Sequence, residues 1–251
     1  MTRSLRVVQV TDSHVFADPS ATLKNVCTDR SLRRVLAHAR EHASPADLVL
    51  ATGDLTDDGS REGYERLKRH LRGLGAPVAW VPGNHDEADV MRATLAGDGF
   101  GGPGTRRIGA WSVVLLDSVV PGEDGGHLSA AELERLNAAL SENPGGHALV
   151  ALHHPPVQVG TPNMDAIALA NRDEFFAVID RHRCVRGILW GHFHHAFDER
   201  RGSVRLMGTP STCYQMRLGG EEVVPDDVPP GYRRLDLTHE GGIRTDILRV
   251  P

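Results

Sequence analysis

The chain has 251 residues, with 40% hydrophobic and 24% charged residues, which is typical of a globular protein and excludes a disordered one. Its net charge of −5 argues against nonspecific nucleic-acid binding, and no apolar run reaches the ~20 residues that a membrane-spanning helix needs. Its three cysteines form no C-x-x-C pair and the first residues lack a signal-peptide pattern, so we expect a cytoplasmic protein.

Short apolar runs recur along the first 190 residues, and each ends in polar or glycine-rich residues. Runs this short, rich in Val, Leu and Trp and bounded by turn residues, predict buried β-strands. The six runs are LRVVQV (5–10), DLVLATG (47–53), PVAWVPG (77–83), WSVVLLD (111–117), HALVAL (147–152) and VRGILWG (185–191).

Helical patterns alternate with these runs, over 29–42, 60–75, 129–140 and 171–182. The first pattern places Leu32, Val35 and Leu36 on one face of a helix. Alternation of strands and helices predicts an α/β architecture. The last third of the chain differs, because 203–213, 231–240 and 242–250 predict strands joined by short connections.

The acidic, proline-rich segment 216–231 interrupts this final set of strands, and we predict a loop there that shapes the mouth of a binding site. No linker or internal repeat is present in the sequence. The simplest expectation is therefore one domain over 1–251.

Five short polar motifs follow five of the predicted strands. Ligands of open α/β sheets bind beyond the carboxyl ends of the strands, and all five motifs are placed there. They are DSH (Asp12, His14), GD (Asp54), GNHD (Asn84, His85), HH (His153, His154) and GHFH (His192, His194).

The spacing of these motifs suits metal ions. Residues i and i+2 of an extended chain point to the same side, so Asp12 and His14 are expected to reach one ion. Oxygen and imidazole ligands without thiolate suit Mn, Fe, Zn, Co or Ni. A carboxylate such as Asp54 can bridge two cations, as in two-metal hydrolases. A single D-x-H or Gly-Asp is ordinary turn chemistry, and the prediction depends on all five motifs occurring together.

These motifs resemble the calcineurin-like dinuclear metallophosphoesterases, whose pattern is D-x-H, GD, GNH[DE], a later histidine and GHxH. The resemblance covers positions 12 to 194. It implies a four-layer αββα sandwich of two mixed β-sheets flanked by helices, and two divalent or trivalent transition-metal ions. Iron and manganese fit best, and zinc also fits.

The resemblance also assigns roles to residues. Ligands of the first ion are Asp12, His14, Asp54 and His194, and ligands of the second are Asp54, Asn84, His153 and His192. The resemblance makes His85 a catalytic residue that does not bind metal and that contacts the phosphate or protonates the leaving oxygen. Asp57 matches the carboxylate that orients it, with Asp86 as the alternative. Asn84, His85 and His194 would contact substrate, and His154 would either face substrate or pack behind the ligands.

Longer stretches resemble one branch of that family, the bacterial class III cyclic-nucleotide phosphodiesterases of the CpdA type. They include VQVTDSHVFAD, ATGDLTDDGSREGYERL, GILWGHFHHAFD and RLMGTPSTCYQ. This resemblance implies hydrolysis of 3′,5′-cyclic AMP to 5′-AMP by a hydroxide held between the ions. Asn25, Met164 and Asp165 are candidates for contacts to the base and ribose.

Three other functions remain open from the sequence. The first is a phosphodiesterase for glycerophosphodiesters or 2′,3′-cyclic nucleotides, and the second is a non-catalytic scaffold with the same fold. Nucleic-acid cleavage would need a basic groove, and apart from Arg200, Arg201 and Arg205 the sequence shows no sign of one. We expect a small anionic phosphodiester as the partner, with no nucleic acid and no membrane. The family resemblance suggests a homodimer.

Overall fold

The computed structural model describes residues 3–143, 145–220 and 224–251. The strands within these residues are β1 (Leu5–Val10), β2 (Thr22–Leu23), β3 (Val26–Cys27), β4 (Leu48–Thr52), β5 (Val78–Val81), β6 (Phe100–Gly101), β7 (Gly104–Ile108), β8 (Trp111–Leu115), β9 (His147–Ala151), β10 (Val185–Trp190), β11 (Phe197–Arg201), β12 (Val204–Gly208), β13 (Gln215–Arg217), β14 (Val224–Asp226), β15 (Gly231–Leu237) and β16 (Ile243–Arg249). The helices are α1 (Thr28–His42), α2 (Arg61–Arg72), α3 (Ala88–Thr94), α4 (Ala130–Ser141), α5 (Pro162–Ala166) and α6 (Arg172–Ile179).

Two six-stranded mixed sheets form the centre of the protein. The first has the strand order β16-β15-β1-β4-β5-β6, in which β1, β4, β5 and β6 are parallel and the last two strands of the chain add antiparallel. The second has the order β11-β12-β10-β9-β8-β7, with a parallel centre and one antiparallel strand at each edge.

Three hydrophobic cores hold the layers together. One lies between the sheets, where residues such as Leu50 and Val81 of the first sheet meet Leu149 and Leu189 of the second. A second core packs the apolar faces of α1, α2 and α3 against the first sheet. The third packs α4 and α6 against the second sheet. The predicted four-layer αββα sandwich is confirmed.

One local prediction is wrong. Segment 216–231 was predicted as a loop, but β13 and β14 pair within it as an antiparallel hairpin, because Val224 and the residues around it can satisfy their backbone groups with Gln215–Arg217. Residues 221–223 of the segment lie outside the described part of the chain. The side-chain amide of Asn171, the residue before α6, bonds to both backbone groups of Leu128.

The topology brings the ends of five strands together at one edge of the sandwich. Strands β1, β4 and β5 are parallel neighbours in the first sheet, and β9 and β10 are parallel neighbours in the second. Each of the five motifs follows one of these strands, so the loops from both sheets share one rim. Among the described residues, none of the helices is both long enough and apolar enough to cross a bilayer.

A buried polar network joins the two sheets close to this rim. The side chain of Arg233, on β15 of the first sheet, is 1% exposed and donates to the carbonyl oxygens of Gly208 and Phe197 in the second. It also donates to the hydroxyl of Thr209, which in turn donates to the amide of Gln9 on β1. Burial lowers the pKa of Arg233 to about 10, so the guanidinium stays charged at neutral pH.

Replacing Arg233 with methionine should destabilise the protein. The change removes the guanidinium that donates to the carbonyl oxygens of Gly208 and Phe197, and breaking a buried charged network typically costs about 3–5 kcal/mol. Denaturant unfolding followed by circular dichroism measures this loss. The matched control is Arg200→Met on exposed β11, which should change the unfolding free energy by less than about 0.5 kcal/mol. Equal effects of the two substitutions would show that the network is not what joins the sheets.

Candidate metal centre

The seven predicted metal ligands lie together at the shared rim of the two sheets. Six of them are at most 5% exposed, and the seventh, Asn84, is partly exposed. The two sheets are tied directly at this point, because the backbone N–H of His192 donates to a carboxylate oxygen of Asp12 at 2.9 Å. The ligand types that the sequence predicted are therefore brought to one place by the fold.

The local backbone at the ligands differs from the extended chain that we expected. Five ligands have left-handed backbone, with φ values of 52° at Asp12, 45° at His14, 49° at Asp54, 67° at His192 and 47° at His194. In both motifs with i, i+2 spacing the two ligands are left-handed, so their common direction comes from a tight loop. Left-handed backbone in non-glycine residues costs roughly 1–2 kcal/mol each and is concentrated at functional sites.

Glycines flank the ligands where the loops pass too close for a side chain. A Cβ at Gly191 would lie 2.0 Å from the Thr11 hydroxyl and 2.7 Å from a carboxylate oxygen of Asp12. A Cβ at Gly53 would lie 2.3 Å from Nδ1 of His153, and Gly53 has a φ of +88°. The Gly-Asp and Gly-His pairs of the sequence are therefore needed for loops of the two sheets to touch.

Hydrogen bonds fix the orientation of two imidazole rings. Nδ1 of His194 donates to the carbonyl oxygen of Tyr214 at 2.9 Å, and Nδ1 of His153 donates to that of Thr52 at 2.9 Å. Since a carbonyl only accepts, each neutral ring carries its proton on Nδ1 and presents the lone pair of Nε2 to the centre. This arrangement is typical of histidines that bind a metal ion.

Lone pairs of these buried side chains therefore converge at one place. Nε2 of His194 lies 3.1 Å from Nε2 of His14, and Nε2 of His153 lies 3.2 Å from Nδ1 of His192. The Oδ2 atom of Asp12 is buried without any hydrogen-bond partner. Lone pairs this close repel one another unless a cation lies between them. The residues present therefore fit metal ions.

The carboxylate of Asp54 lies between two groups of ligands. Its Oδ2 atom is 3.3 Å from Nε2 of His153 and 3.8 Å from Nε2 of His14. On one side, ligand atoms of Asp12, His14 and His194 lie within 4.8 Å of one another. On the other side, Oδ1 of Asn84 lies 3.2 Å from Nε2 of His153. The geometry supports two ions that share Asp54, and the ligand assignments remain predictions.

The electrostatics of the site are those of a buried cluster of acids and imidazoles. Burial, opposed by the charge of His153 and reinforced by that of Asp54, raises the pKa of Asp12 to about 7. Burial alone would lower the pKa of His153, but the Asp54 carboxylate raises it to about 9. Protons therefore compete with cations for these side chains, and binding of cations releases them.

The predicted catalytic pair lies beside the first group of ligands. His85 is exposed at the rim, and its backbone N–H donates to Oδ1 of Asp54 at 3.0 Å. Oδ1 of Asp57 is 3.4 Å from Nδ1 of His85, but only 2.9 Å from Nδ1 of His14. Asp57 can therefore orient His85, although its shorter contact is with His14, a predicted metal ligand.

Asp86, the alternative partner of His85, has another role. Its carboxylate accepts the backbone N–H groups of Leu55, Thr56 and Gly83 and the hydroxyl of Tyr64, at 2.9–3.1 Å. These bonds tie the loop after β4, which carries Asp54, to the loop after β5, which carries Asn84. No local pattern in the sequence indicates this role, because the partners are backbone groups and a tyrosine on α2.

The predicted substrate contacts fall into two groups. A cavity of about 310 Å³ opens above the ligands, and Asn84, His85, His194 and Met164 are among the residues that line it. His154 does not line it, because its ring is fully buried and bonded to the hydroxyl of Ser118 at 2.8 Å. Its prediction as a substrate contact is not supported, and packing against His153 and His192 explains it instead.

Two other predicted contacts also lie elsewhere. Asn25 is an exposed residue of the β2–β3 turn and lines a separate cavity with Cys27 and Cys213. The structure therefore gives no support to its predicted contact with the base and ribose. The carboxylate of Asp165 accepts the backbone N–H groups of Val159 and Gly160, as in an ordinary helix entry.

Tyr214 is a residue of the site that sequence reasoning missed. Its carbonyl fixes His194, and its ring centroid lies 4.5 Å from that of the same histidine while the side chain lines the cavity. With Met164, Ile167 and Met216 it forms the less polar wall of the cavity. The stretch STCYQ contains the residue, but only its place in the fold shows the contact.

Comparisons with known proteins identify the relatives of the chain. The model of the calcineurin-like phosphoesterase family matches residues 5–196. A 3′,5′-cyclic adenosine monophosphate phosphodiesterase, CpdA of Pseudomonas aeruginosa, is 40% identical over 98% of this chain and 90% of its own. A 3′,5′-cyclic-nucleotide phosphodiesterase of Nostoc is 38% identical over 98% of this chain and 93% of its own.

A solved structure shows the same fold at much lower sequence similarity. A dimetal phosphatase from Danio rerio superposes with a TM-score of 0.69 over the whole length of both chains, at 13% identity. At this identity the likeness concerns the fold alone.

Replacing Asp86 with asparagine should weaken metal binding without touching a ligand. The variant loses the charged acceptor that ties the two ligand loops together. Loss of a group that orients metal ligands without binding the metal typically costs about 10–100-fold in metal affinity. Titration of metal-free protein with manganese measures the affinity. The control is Asp89→Asn, which removes an acid that is 97% exposed three residues along. Unchanged affinity in Asp86→Asn would contradict the role given to this carboxylate.

Proposed function

Because the chain belongs to the calcineurin-like phosphoesterase family, we propose that it hydrolyses small phosphodiesters, and 3′,5′-cyclic AMP to 5′-AMP in particular. The observation that carries the proposal is the set of imidazole and carboxylate lone pairs that converge at the floor of a cavity. Curated relatives that are cyclic-nucleotide phosphodiesterases and span nearly the whole chain support the choice of substrate.

The cavity has two chemically different sides, and this suits a cyclic nucleotide. The floor carries the ligands of two cations, which would face the phosphate. The opposite wall carries Met164, Ile167 and Met216, which pack with Phe193 in a small apolar cluster. A volume of about 310 Å³ is at the lower end of the range for small-molecule sites. A planar base can lie on this wall while the phosphate reaches the floor.

Two transition-metal ions are the cofactors that the ligands fit. When bound, they would supply Lewis-acid charge for the phosphate oxygens and activate water at neutral pH. One ion would be held by Asp12, His14, Asp54 and His194, and the other by Asp54, Asn84, His153 and His192. An all-nitrogen and oxygen set suits iron, manganese or zinc.

The chain itself contributes proton transfer and orientation. His85 lies at the rim with its ring free to reach the leaving oxygen, and its backbone is fixed to Asp54. We assign to it the donation of a proton to the departing 3′-hydroxyl. Asp57 contacts both His85 and His14. It therefore links His85, the proposed proton donor, to the first group of ligands. The neutral amide of Asn84 adds an oxygen ligand without adding a third carboxylate charge.

The alternative substrates remain within the same chemistry. Glycerophosphodiesters or 2′,3′-cyclic nucleotides would place the same phosphate on the same floor, and only the apolar wall distinguishes them. A non-catalytic scaffold is disfavoured because the ligands and His85 are all present. Cytoplasmic location and a homodimer stay predictions.

A substrate panel tests the proposed substrate. The kcat/KM of manganese-reconstituted protein should be higher for 3′,5′-cyclic AMP than for 2′,3′-cyclic AMP or glycerophosphocholine, because the base contacts the apolar wall in the productive orientation. Bis(p-nitrophenyl) phosphate serves as the control for intact chemistry. If only this artificial diester is hydrolysed, the proposed phosphodiesterase activity is supported and the proposed substrate, cyclic AMP, is contradicted.

Replacing His85 with alanine tests the proton donor. General acid catalysis typically contributes about 10²–10⁴-fold, so kcat for cyclic AMP should fall in that range while the metal content stays unchanged. Nitrophenolate leaves without a proton, so the loss for bis(p-nitrophenyl) phosphate should be much smaller. His239→Ala, at another exposed histidine, is the control. Equal losses on both substrates would exclude the role as an acid.

A further inference from the structure

Helix α1 carries a row of arginines that the catalytic site does not use. Arg30, Arg33, Arg34 and Arg40 are exposed and share one face of the helix, following a spacing of three or four residues through Ala37. Together with His70 of α2 they line a groove of about 500 Å³, which we call the α1 groove. It shares no residue with the cavity above the metal ligands.

The charge of the α1 groove is not neutralised by its surroundings. Within the described part of the chain, none of its four arginines forms an ion pair or a side-chain hydrogen bond. The nearby acid Asp29 is already engaged, since His70 Nε2 lies 2.9 Å from its Oδ1 atom and Arg66 Nε lies 3.8 Å from that same atom. This concentration of positive charge contrasts with the net charge of −5 of the whole chain.

The arrangement is unfavourable for the helix itself. Like charges at i, i+3 and i, i+4 repel, as Arg30 does with Arg33 and Arg34. Arg30 also lies in the first turn of α1, where the helix dipole disfavours positive charge. A local rule broken without a compensating contact in the protein is typical of a functional surface.

We propose that the α1 groove binds a small polyphosphorylated anion. Guanidinium groups recognise phosphate through paired, charge-assisted hydrogen bonds, and several phosphates in one ligand can engage several arginines at once. The groove is concave and large enough for a ligand of nucleotide size. The large apolar side chains exposed in the described residues are Val224 and Val228, and neither lines the groove, so it lacks the anchors that favour a membrane surface.

Calorimetry on the metal-loaded enzyme tests the proposal. The titrant is preformed magnesium tripolyphosphate, so that the probe does not remove ions from the active site, and the metal content is measured afterwards. The wild type should show binding beyond any contribution of the active site. Arg33→Glu combined with Arg34→Glu should weaken this binding about tenfold or more for each arginine. Lysine at both positions should retain part of the affinity.

A charge-matched control separates a site from general electrostatics. Arg181→Glu combined with Arg183→Glu makes the same change in net charge on an exposed turn elsewhere. Hydrolysis of bis(p-nitrophenyl) phosphate and thermal melts show that all variants are folded. The proposal is supported if only the α1 variant loses binding. It is overturned if both variants bind like the wild type, if both lose binding equally, or if the α1 variant changes only the oligomeric state.

Two titrants show whether the α1 groove recognises a nucleotide or polyphosphate alone. Nucleoside triphosphate and inorganic tripolyphosphate share the phosphates but differ in the base and sugar. Tighter binding of the nucleotide, lost together with that of tripolyphosphate in the α1 variant, would identify a nucleotide site. Equal binding of the two would identify a site for polyphosphate alone, and failure of both to bind would overturn the proposal.

Discussion

The carboxylate of Asp54 is the group on which the rest of the site depends. It lies at the end of the central strand β4 of the first sheet, between histidines that come from both sheets. Burial opposes its charge, yet the imidazoles of His153 and His14 hold the pKa of Asp54 well below its usual range. When two cations are bound, this buried carboxylate would hold both of them, because it lies between the two groups of predicted ligands.

Much of the remaining structure holds the imidazole and carboxylate groups of the site close together, although their lone pairs repel one another. The parallel strands of the two mixed sheets end at one rim. The backbone N–H of Thr212, after β12 of the second sheet, donates to the carbonyl oxygen of Thr11, after β1 of the first, and so joins the sheets there. Bringing these loops together requires left-handed backbone at five predicted ligands and glycines where a side chain would not fit. The buried Gln9, Thr209 and Arg233 network beneath the rim keeps the sheets in register.

The sequence predicted the parts of this account that depend on local pattern. Apolar runs with polar ends predicted five strands of the two sheets, and the D-x-H and GHxH motifs predicted side chains that the fold brings to one rim. The left-handed backbone of Asp12 and His14 could not be predicted, because it results from loops pressed against loops of the other sheet. The backbone contacts of Asp86 and the carbonyl of Tyr214 were missed for the same reason, since a partner distant in sequence gives no local signal.

The number of ions bound per chain tests the central claim most directly. Metal-free protein is saturated with manganese, dialysed and analysed by mass spectrometry against protein concentration. The account predicts two ions in the wild type, about one in Asn84→Ala, which removes a ligand of the second group alone, and two in Asp89→Asn. One ion per wild-type chain, or two in Asn84→Ala, would contradict a centre built from two groups of ligands around Asp54.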